Sequence, residues 1–507
     1  MSLFAKKSIA VLLEEASESE KSLKRTLSAG SLVALGIGAI IGAGLFVRTA
    51  AAAAQFAGPS VTYGFILASL GCAFAGLCYA ELSSSIPIAG SAYTYTYATM
   101  GELMAWIIGW DLILEYAVGA ATVGIAWAEY FNNLLVEVLH VSPVPYQWCH
   151  SPFQTSVNGV GGIVNLPALF IVVIISLLLI KGTQESAFIN GIIVIVKVAI
   201  VILIIGFGWH YINPVNHTPF IPEATKYTDR EGLTYDYGGV WGIVGAAGTV
   251  FFAFIGFDAV STAAQETKNP KTAMPIGILG SLAICTVLYI LFSYVLTGLA
   301  PVEFFRNSGK EASVVAAINV YMPGYQWLGT LVTIAILGGF SSVILVMLLG
   351  QSRVFYSMSK DGLMPKMFAD LHPKYKTPYK ASLMILVLVA LFAGFVPGDI
   401  VGDMTSIGTL FAFILVCIAV LILRKTEPNM VREFKTPWVP FVPIMGILTC
   451  GWMIAGLHWS NWLRLLGWLA IGFVIYFVYS KKHSVLGNTG KTVEPEDPPK
   501  PKMPDLE

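Results

Sequence analysis

Charge is what this sequence has least of. Asp, Glu, Lys and Arg make up 12% of its 507 residues, about half the ~25% of an ordinary soluble domain. Thirty acidic residues balance thirty basic ones, so there is no basic footprint for nucleic acid. Cysteine is scarce too. Of six, Cys72, Cys78, Cys285, Cys417 and Cys450 fall in apolar runs and Cys149 stands alone in a polar loop, which excludes a secreted disulfide framework. The seven His residues are scattered, and no Cys/His group has metal-ligand spacing. Neither a nucleophile elbow nor a Walker loop occurs, so covalent catalysis is not expected and the protein reads as no enzyme. The first 28 residues are charged throughout (Lys6, Lys7, Glu14, Glu15, Lys21, Lys24, Arg25), unlike a secretory signal.

What is present is apolar surface. Hydrophobic residues make up 56% of the chain and the mean hydropathy is +0.73, too much for a water-covered surface. A bilayer-crossing helix needs about 20 apolar residues, and twelve runs qualify: 29–54, 60–82, 92–132, 165–181, 186–208, 241–266, 275–299, 325–358, 379–397, 402–423, 439–457 and 463–480. They are numbered spans 1 to 12 below. The third and eighth exceed a membrane thickness and are expected to tilt or run into water. Continuous runs, rather than alternating ten-residue segments, predict an all-α integral membrane protein and no β-barrel. With the N-terminus inside, the inner loops and tails carry 23 Lys and Arg and the outer loops 6, which predicts both termini cytoplasmic and, for a bacterial protein, insertion in the inner membrane. The Pro-rich tail 487–507 is expected to be disordered, and the outer loops at 133–164 and 209–240 to carry small helices. Asn216-His217-Thr218 is a short glycosylation sequon in the second of these loops.

Two spans resist being helices. Span 1 holds Gly36, Gly38, Gly42 and Gly44, each costing about 1 kcal/mol relative to Ala. Span 6 runs Gly245 to Asp258 with further glycines. Each has an Ile-Gly pair at mid-span, Ile41-Gly42 and Ile255-Gly256, and each opens a block of five spans, 1–5 or 6–10. Interrupted segments at matching places in two halves point to a transporter site built on inverted repeats. A helix interrupted there exposes N–H groups suited to a carboxylate and C=O groups suited to an ammonium. An α-amino acid carries both on one carbon. Close helix packing through small residues is the alternative account of either cluster alone.

Gly38 to Phe46 (GAIIGAGLF) resembles the helix-1 signature of the amino acid–polyamine–organocation superfamily. Tyr79 to Leu82, Ile86 to Tyr93, Phe252 to Asp258, Glu266 to Pro270 and Ser359 to Pro365 are similar to further motifs of it. Gly109-Trp110-Asp111, Leu114-Glu115-Tyr116 and Phe257 to Thr262 resemble its cationic amino acid transporter branch, whose bacterial members have twelve spans. The resemblance implies a LeuT-type fold: an inner segment 1–28, a first repeat 29–208, a second repeat 241–423, two extra helices within 439–480, and helices 1 and 6 broken at mid-membrane. It also implies that the substrate carboxylate meets N–H groups of Gly42, Ala43 and Gly44, with the hydroxyl common at the Ala43 position missing. The ammonium would meet carbonyls at Ile40, Phe252, Ala253 and Ile255, and the Phe252 ring would close over the substrate. In proton-coupled relatives a helix-5 Lys replaces a sodium ion between helices 1 and 8. Here that would set Lys197 against Ser341, Ser342 and helix-1 carbonyls near Gly38 and Gly42.

Lys197 is also notable without the resemblance. No other charge lies between Glu185 and His210, and an ammonium at the bilayer centre costs at least ~2.5–3.5 kcal/mol, so a functional role is the default expectation. An amine held out of water is a group that can gain and lose a proton in a working range; a Lys permanently charged on carbonyls is the alternative. Asp111 and Glu115, four apart on span 3, share a face. Glu115 is open to three roles: lining the side-chain pocket, relaying protons, or bonding a neighbouring helix. Asp258, with Glu266 and Arg353 at the cytoplasmic rim, is a candidate for the inner gate. Met347 on span 8 is a candidate pocket floor favouring small neutral amino acids such as alanine. If the branch is the better guide, the cargo is cationic and Glu115 its counter-charge.

The expectation is a proton-coupled L-amino acid symporter working by alternating access, with protons as coupling ion, no cofactor, and free amino acid and lipid bilayer as its partners. An exchanger or uniporter on the same fold is the nearest alternative, and a sensor a further one. An accessory single-span subunit, disulfide-linked through Cys149, is possible on this fold but not indicated.

Overall fold

The computed structural model describes residues 3–9, 11–12, 27–88, 90–156, 159–181, 186–229, 232–307, 313–375 and 377–489. Most of the tail 487–507 and of the segment 1–28 therefore lies outside the described residues. The chain is predominantly helical. Eight helical stretches are long and apolar enough to cross a membrane, and Leu166–Lys181, Tyr379–Phe395 and Phe441–Gly456 are shorter apolar helices. One of the eight, Ala29–Ser85, carries both span 1 and span 2. Their boundary is a tight turn at Gly58-Pro59-Ser60, where Gly58 has φ 54°.

Spans 2, 7 and 8 are unbroken: Val61–Ser85, Pro270–Leu299 and Gln326–Lys360. Span 7 starts five residues before its apolar run because Pro270 fits the first helical turn, where no N–H is needed. Span 8, at 35 residues, would reach about 50 Å at 1.5 Å per residue. Span 3 differs from expectation. The run 92–132 is split into Ala92–Thr99 and a helix from Glu102, because Gly101 adopts φ 92°. Residues 3–9 lie along this break: Glu102 N donates to Ala5 O at 3.0 Å and Leu103 N to Leu3 O at 3.0 Å. Lys7 Nζ reaches Asp361 at 2.7 Å, past the end of span 8.

The outer loops carry short helical turns, Leu134–Val138 and Tyr146–Trp148 in the first, and the second adds strands that were not expected. The 209–240 loop holds one 3₁₀ turn, Pro214–His217, and an antiparallel hairpin, Thr225–Thr228 with Thr234–Tyr237. The Thr/Tyr alternation suits a pleated surface better than a helix. Arg306 from the 300–325 loop lies over the rings of Tyr227 and Tyr237, 4.3 and 4.6 Å from their centroids. Asn216 of the sequon spends its amide on Gly298 O at 2.8 Å, so its nitrogen is engaged rather than offered.

Candidate functional site

The interruptions fall at the two Ile-Gly pairs. Helix Ala29–Ile40 ends where Ile41 turns extended (φ −73°, ψ 100°), and the chain resumes at Gly44–Arg48 as a π-helical turn. Gly42, Ala43 and Gly44 open this second half, the positions whose N–H groups lack intrahelical partners. In span 6, Gly239–Val250 tightens into Phe251–Phe254, Ile255 is extended (ψ 136°), and the chain resumes at Asp258. Gly256, at φ 111°, supplies the reversal that other residues resist.

The two breaks touch. A Cβ on Gly44 would lie 2.1 Å from Ala253 Cα, and one on Gly256 2.8 Å from Ala39 Cβ. Across them stands Tyr289 of span 7, fully buried, whose hydroxyl lies 2.8 Å from Ile40 O and 3.0 Å from Ala253 O. These are two of the four carbonyls expected to hold an ammonium. A third, Phe252 O, accepts Ile255 N at 3.3 Å. Phe252 itself is buried. The sequence reading missed Tyr289; its signal was a hydroxyl alone in the apolar run Leu288-Tyr289-Ile290.

Lys197 is 3% exposed. Its Nζ donates to Gly38 O at 2.8 Å, Ile41 O at 2.9 Å and Ser342 Oγ at 3.1 Å. Three donors thus meet three acceptors from spans 1 and 8. Ile41 O is the carbonyl next to Gly42, whose own oxygen accepts Leu45 N at 3.2 Å and starts the second half-helix. One expected partner is not used. Ser341 turns back on its own helix and donates to Leu337 O at 2.8 Å. The Lys197 stem crosses Gly339, where a Cβ would lie 2.6 Å from its Cε.

Below the breaks is an acidic group. Span 3 widens into a π-helical turn over Leu114–Val118, a distortion frequent at functional sites. It sets Glu115 against Asp258, with Asp111 close by. All three are buried. Tyr116 donates its hydroxyl to Asp258 Oδ2, while both Asp111 oxygens, both Glu115 oxygens and Asp258 Oδ1 have no hydrogen-bond partner among the described residues. Met347 is buried and packs on Gly119, one turn beyond Glu115: a Cβ there would lie 3.3 Å from its Sδ and 3.3 Å from Thr405 Cγ2. Arg353 donates to Thr262 O and Oγ1, both at 3.4 Å, while the Glu266 side chain lies outside the described residues. Cys149 is buried in its loop, accepting Asn132 Nδ2 at 3.1 Å and facing Val144 O at 3.4 Å. Burial pushes its thiol up from the ordinary range, which makes it a poor nucleophile.

Arg48, a cation of the outer half of span 1, is 4% exposed. It bonds Asp403 and lies 3.5 Å from Asp399, both on the helix Gly398–Thr426.

A family model described as "Amino acid permease" matches residues 27–487. The branched-chain amino acid permease of Bacillus subtilis (strain 168) is 45% identical over 486 residues, 96% of this chain and 99% of that protein. The methylthioribose transporter of the same organism is 41% identical over the same shares. Cationic amino acid transporter 4, vacuolar, of Arabidopsis thaliana is 33% identical over 80% of this chain and 64% of its own length. These relatives are permeases and transporters, not enzymes.

Proposed function

Because this chain belongs to the amino acid permease family, within the amino acid–polyamine–organocation superfamily and thus in a membrane, we propose that it is a proton-coupled symporter of neutral L-amino acids. The observation that carries the reading is the Lys197 ammonium, which ties span 5 to the carbonyls of Gly38 and Ile41, where the first half of span 1 ends, and to span 8. Losing its proton would leave two N–H donors for three acceptors, releasing one contact beside the expected carboxylate cradle at Gly42, Ala43 and Gly44, so protonation and cradle geometry would be linked. A LeuT-type layout of five plus five plus two helices is part of the proposal, with both termini cytoplasmic. It is supported by packing between spans five apart, 2 with 7, 3 with 8 and 4 with 9, as a repeat related by a two-fold axis requires.

The proposed cargo has an apolar side chain, pointing past Phe252 toward Met347. Small neutral amino acids such as alanine fit best, and the branched-chain permease among the relatives extends the range to aliphatic ones. In this reading the Tyr289 hydroxyl holds the ammonium position while the site is empty. A cationic cargo countered by Glu115 is the other substrate class. Saturation of Lys197 by three acceptors favours one second mechanism, an exchanger in which that charge never titrates.

The test is sodium-free uptake of labelled alanine into proteoliposomes with and without an inward proton gradient, wild type beside Lys197→Met, with unlabelled leucine and arginine as competitors. Gradient-driven accumulation in wild type alone supports symport. Uptake that ignores the gradient and needs internal amino acid sinks it in favour of exchange.

A further inference from the structure

We propose that the connection between spans 10 and 11, residues 427–440, binds the headgroup of an anionic phospholipid. The helix that follows it, Phe441–Gly456, has 16 residues, about 24 Å at 1.5 Å per residue. That is shorter than a hydrocarbon core of about 30 Å, so the residues flanking it must lie at the bilayer's polar edge. Trp438 is one of them. Its carbonyl accepts Val442 N at 3.3 Å, on the first turn of that helix, and the residue is 79% exposed. An indole, apolar over most of its ring and polar at one end, suits that level of a membrane.

The exposure is built into the loop. Trp438 has φ 47°, a region that bulky residues resist, and strain of that kind persists only where the surroundings impose it. Here they are a buried rivet. Glu81 at the end of span 2 accepts Arg424 Nε and Nη2, both at 2.8 Å, and Thr436 N at 2.8 Å, with Arg432 Nε 3.1 Å away. Arg432 also donates to Met430 O at 2.9 Å and Glu427 O at 2.8 Å. The loop is thereby held rigid while Trp438 and Val431, the latter 81% exposed, stand out from it. A partner that meets it loses little to ordering.

Charge selects the lipid. Lys271 Nζ lies 3.3 Å from Glu433, which joins the 267–272 connection to this loop. Exposed on and beside the two are Lys268, Lys271, Lys425 and Lys435 against Glu427 and Glu433. Beneath them two guanidiniums share the single Glu81 carboxylate, so the rivet adds a positive charge to the excess rather than cancelling it. A lipid with a net negative headgroup answers this charge, while its chains cover the indole and Val431. A zwitterionic lipid offers the chains alone.

Native mass spectrometry of the full-length protein in detergent tests this, with phosphatidylglycerol and phosphatidylcholine as probes. Wild type is expected to hold its first phosphatidylglycerol at least about tenfold more tightly than phosphatidylcholine. Lys435→Gln should weaken phosphatidylglycerol about fivefold, the scale of one basic residue at an anionic surface, and leave phosphatidylcholine unchanged. Trp438→Ala should weaken both lipids alike. Glu433→Gln should strengthen phosphatidylglycerol, and it is the safeguard, because a misfolded protein would not gain a selective affinity. Equal affinity for the two lipids in wild type overturns the proposal, and so does a preference that survives Lys435→Gln undiminished. A preference that emerges only after residues 490–507 are removed overturns it as well. That tail holds five acidic residues against three lysines, and it would then be what covers the patch.

Discussion

Two buried polar groups lie on either side of the helix breaks, and they are built differently. Lys197 has a matched acceptor for each of its three donors. The acidic group of Asp111, Glu115 and Asp258 has one hydroxyl donor, Tyr116, and several oxygens with no partner among the described residues. Burying a charge is tolerable when every hydrogen bond is replaced and costly otherwise. A saturated group therefore acts as a joint between helices. An undersupplied one is a place for protons, water or a cationic side chain to enter.

The widest contrast should come from neutralising each group. Lys197→Met leaves two carbonyls and a hydroxyl unpartnered in the interior, at about 1–3 kcal/mol per orphaned group. The melting temperature in detergent should fall by several degrees, whereas Glu115→Gln, which strands no cation, should leave it nearly unchanged. Equal losses in the two variants would erase the distinction drawn here. The joint can also be strained without touching its charge. Gly339→Val puts methyl groups where the Lys197 stem runs, and overpacking of that kind costs about 1–3 kcal/mol. Its melting temperature should fall nearly as far as that of Lys197→Met, and a smaller side chain at position 197 should restore part of it.

A third comparison concerns hydroxyls. Tyr289→Phe removes the proton shared by two opposing carbonyls, at about 1 kcal/mol, and should shift the alanine KM about three- to fivefold with little change in maximal rate. Tyr116→Phe removes the single donor to Asp258, and its effect should appear as an altered pH profile of transport rather than an altered KM. The smallest expected signal is at Cys149. A membrane-impermeant maleimide should label it far more slowly than a cysteine introduced at exposed Phe153, because its sulfur is buried among Asn132 and Val144. Rapid labelling would reopen a link to a partner chain.

Much of this architecture is legible in the sequence, and what is hidden has physical reasons. The breaks can be read because glycines at 36, 38, 42 and 44 make a poor helix whatever surrounds them. Lys197 can be read because it is alone in a long apolar run. Arg48 cannot, since one arginine near a span end has the same local pattern whether it faces water or a neighbouring aspartate 355 positions away. Tyr289 is one of 21 tyrosines, and only folding brings it between the two breaks. The split of the third run at Gly101 is invisible to hydropathy, which carries no information on the sign of φ. The hairpin at 225–237 was missed for a similar reason: two four-residue strands leave little pattern in a long polar loop.

The absence of a side chain at Gly44 has one more consequence. Because the backbone of span 1 rests directly on the Ala253 backbone of span 6, no flexible methylenes lie between the two half-helices to absorb a displacement. They mesh like gear teeth without backlash. A tilt of a fraction of an ångström at one break has to be answered at the other, and a single methyl at position 44 would jam the pair.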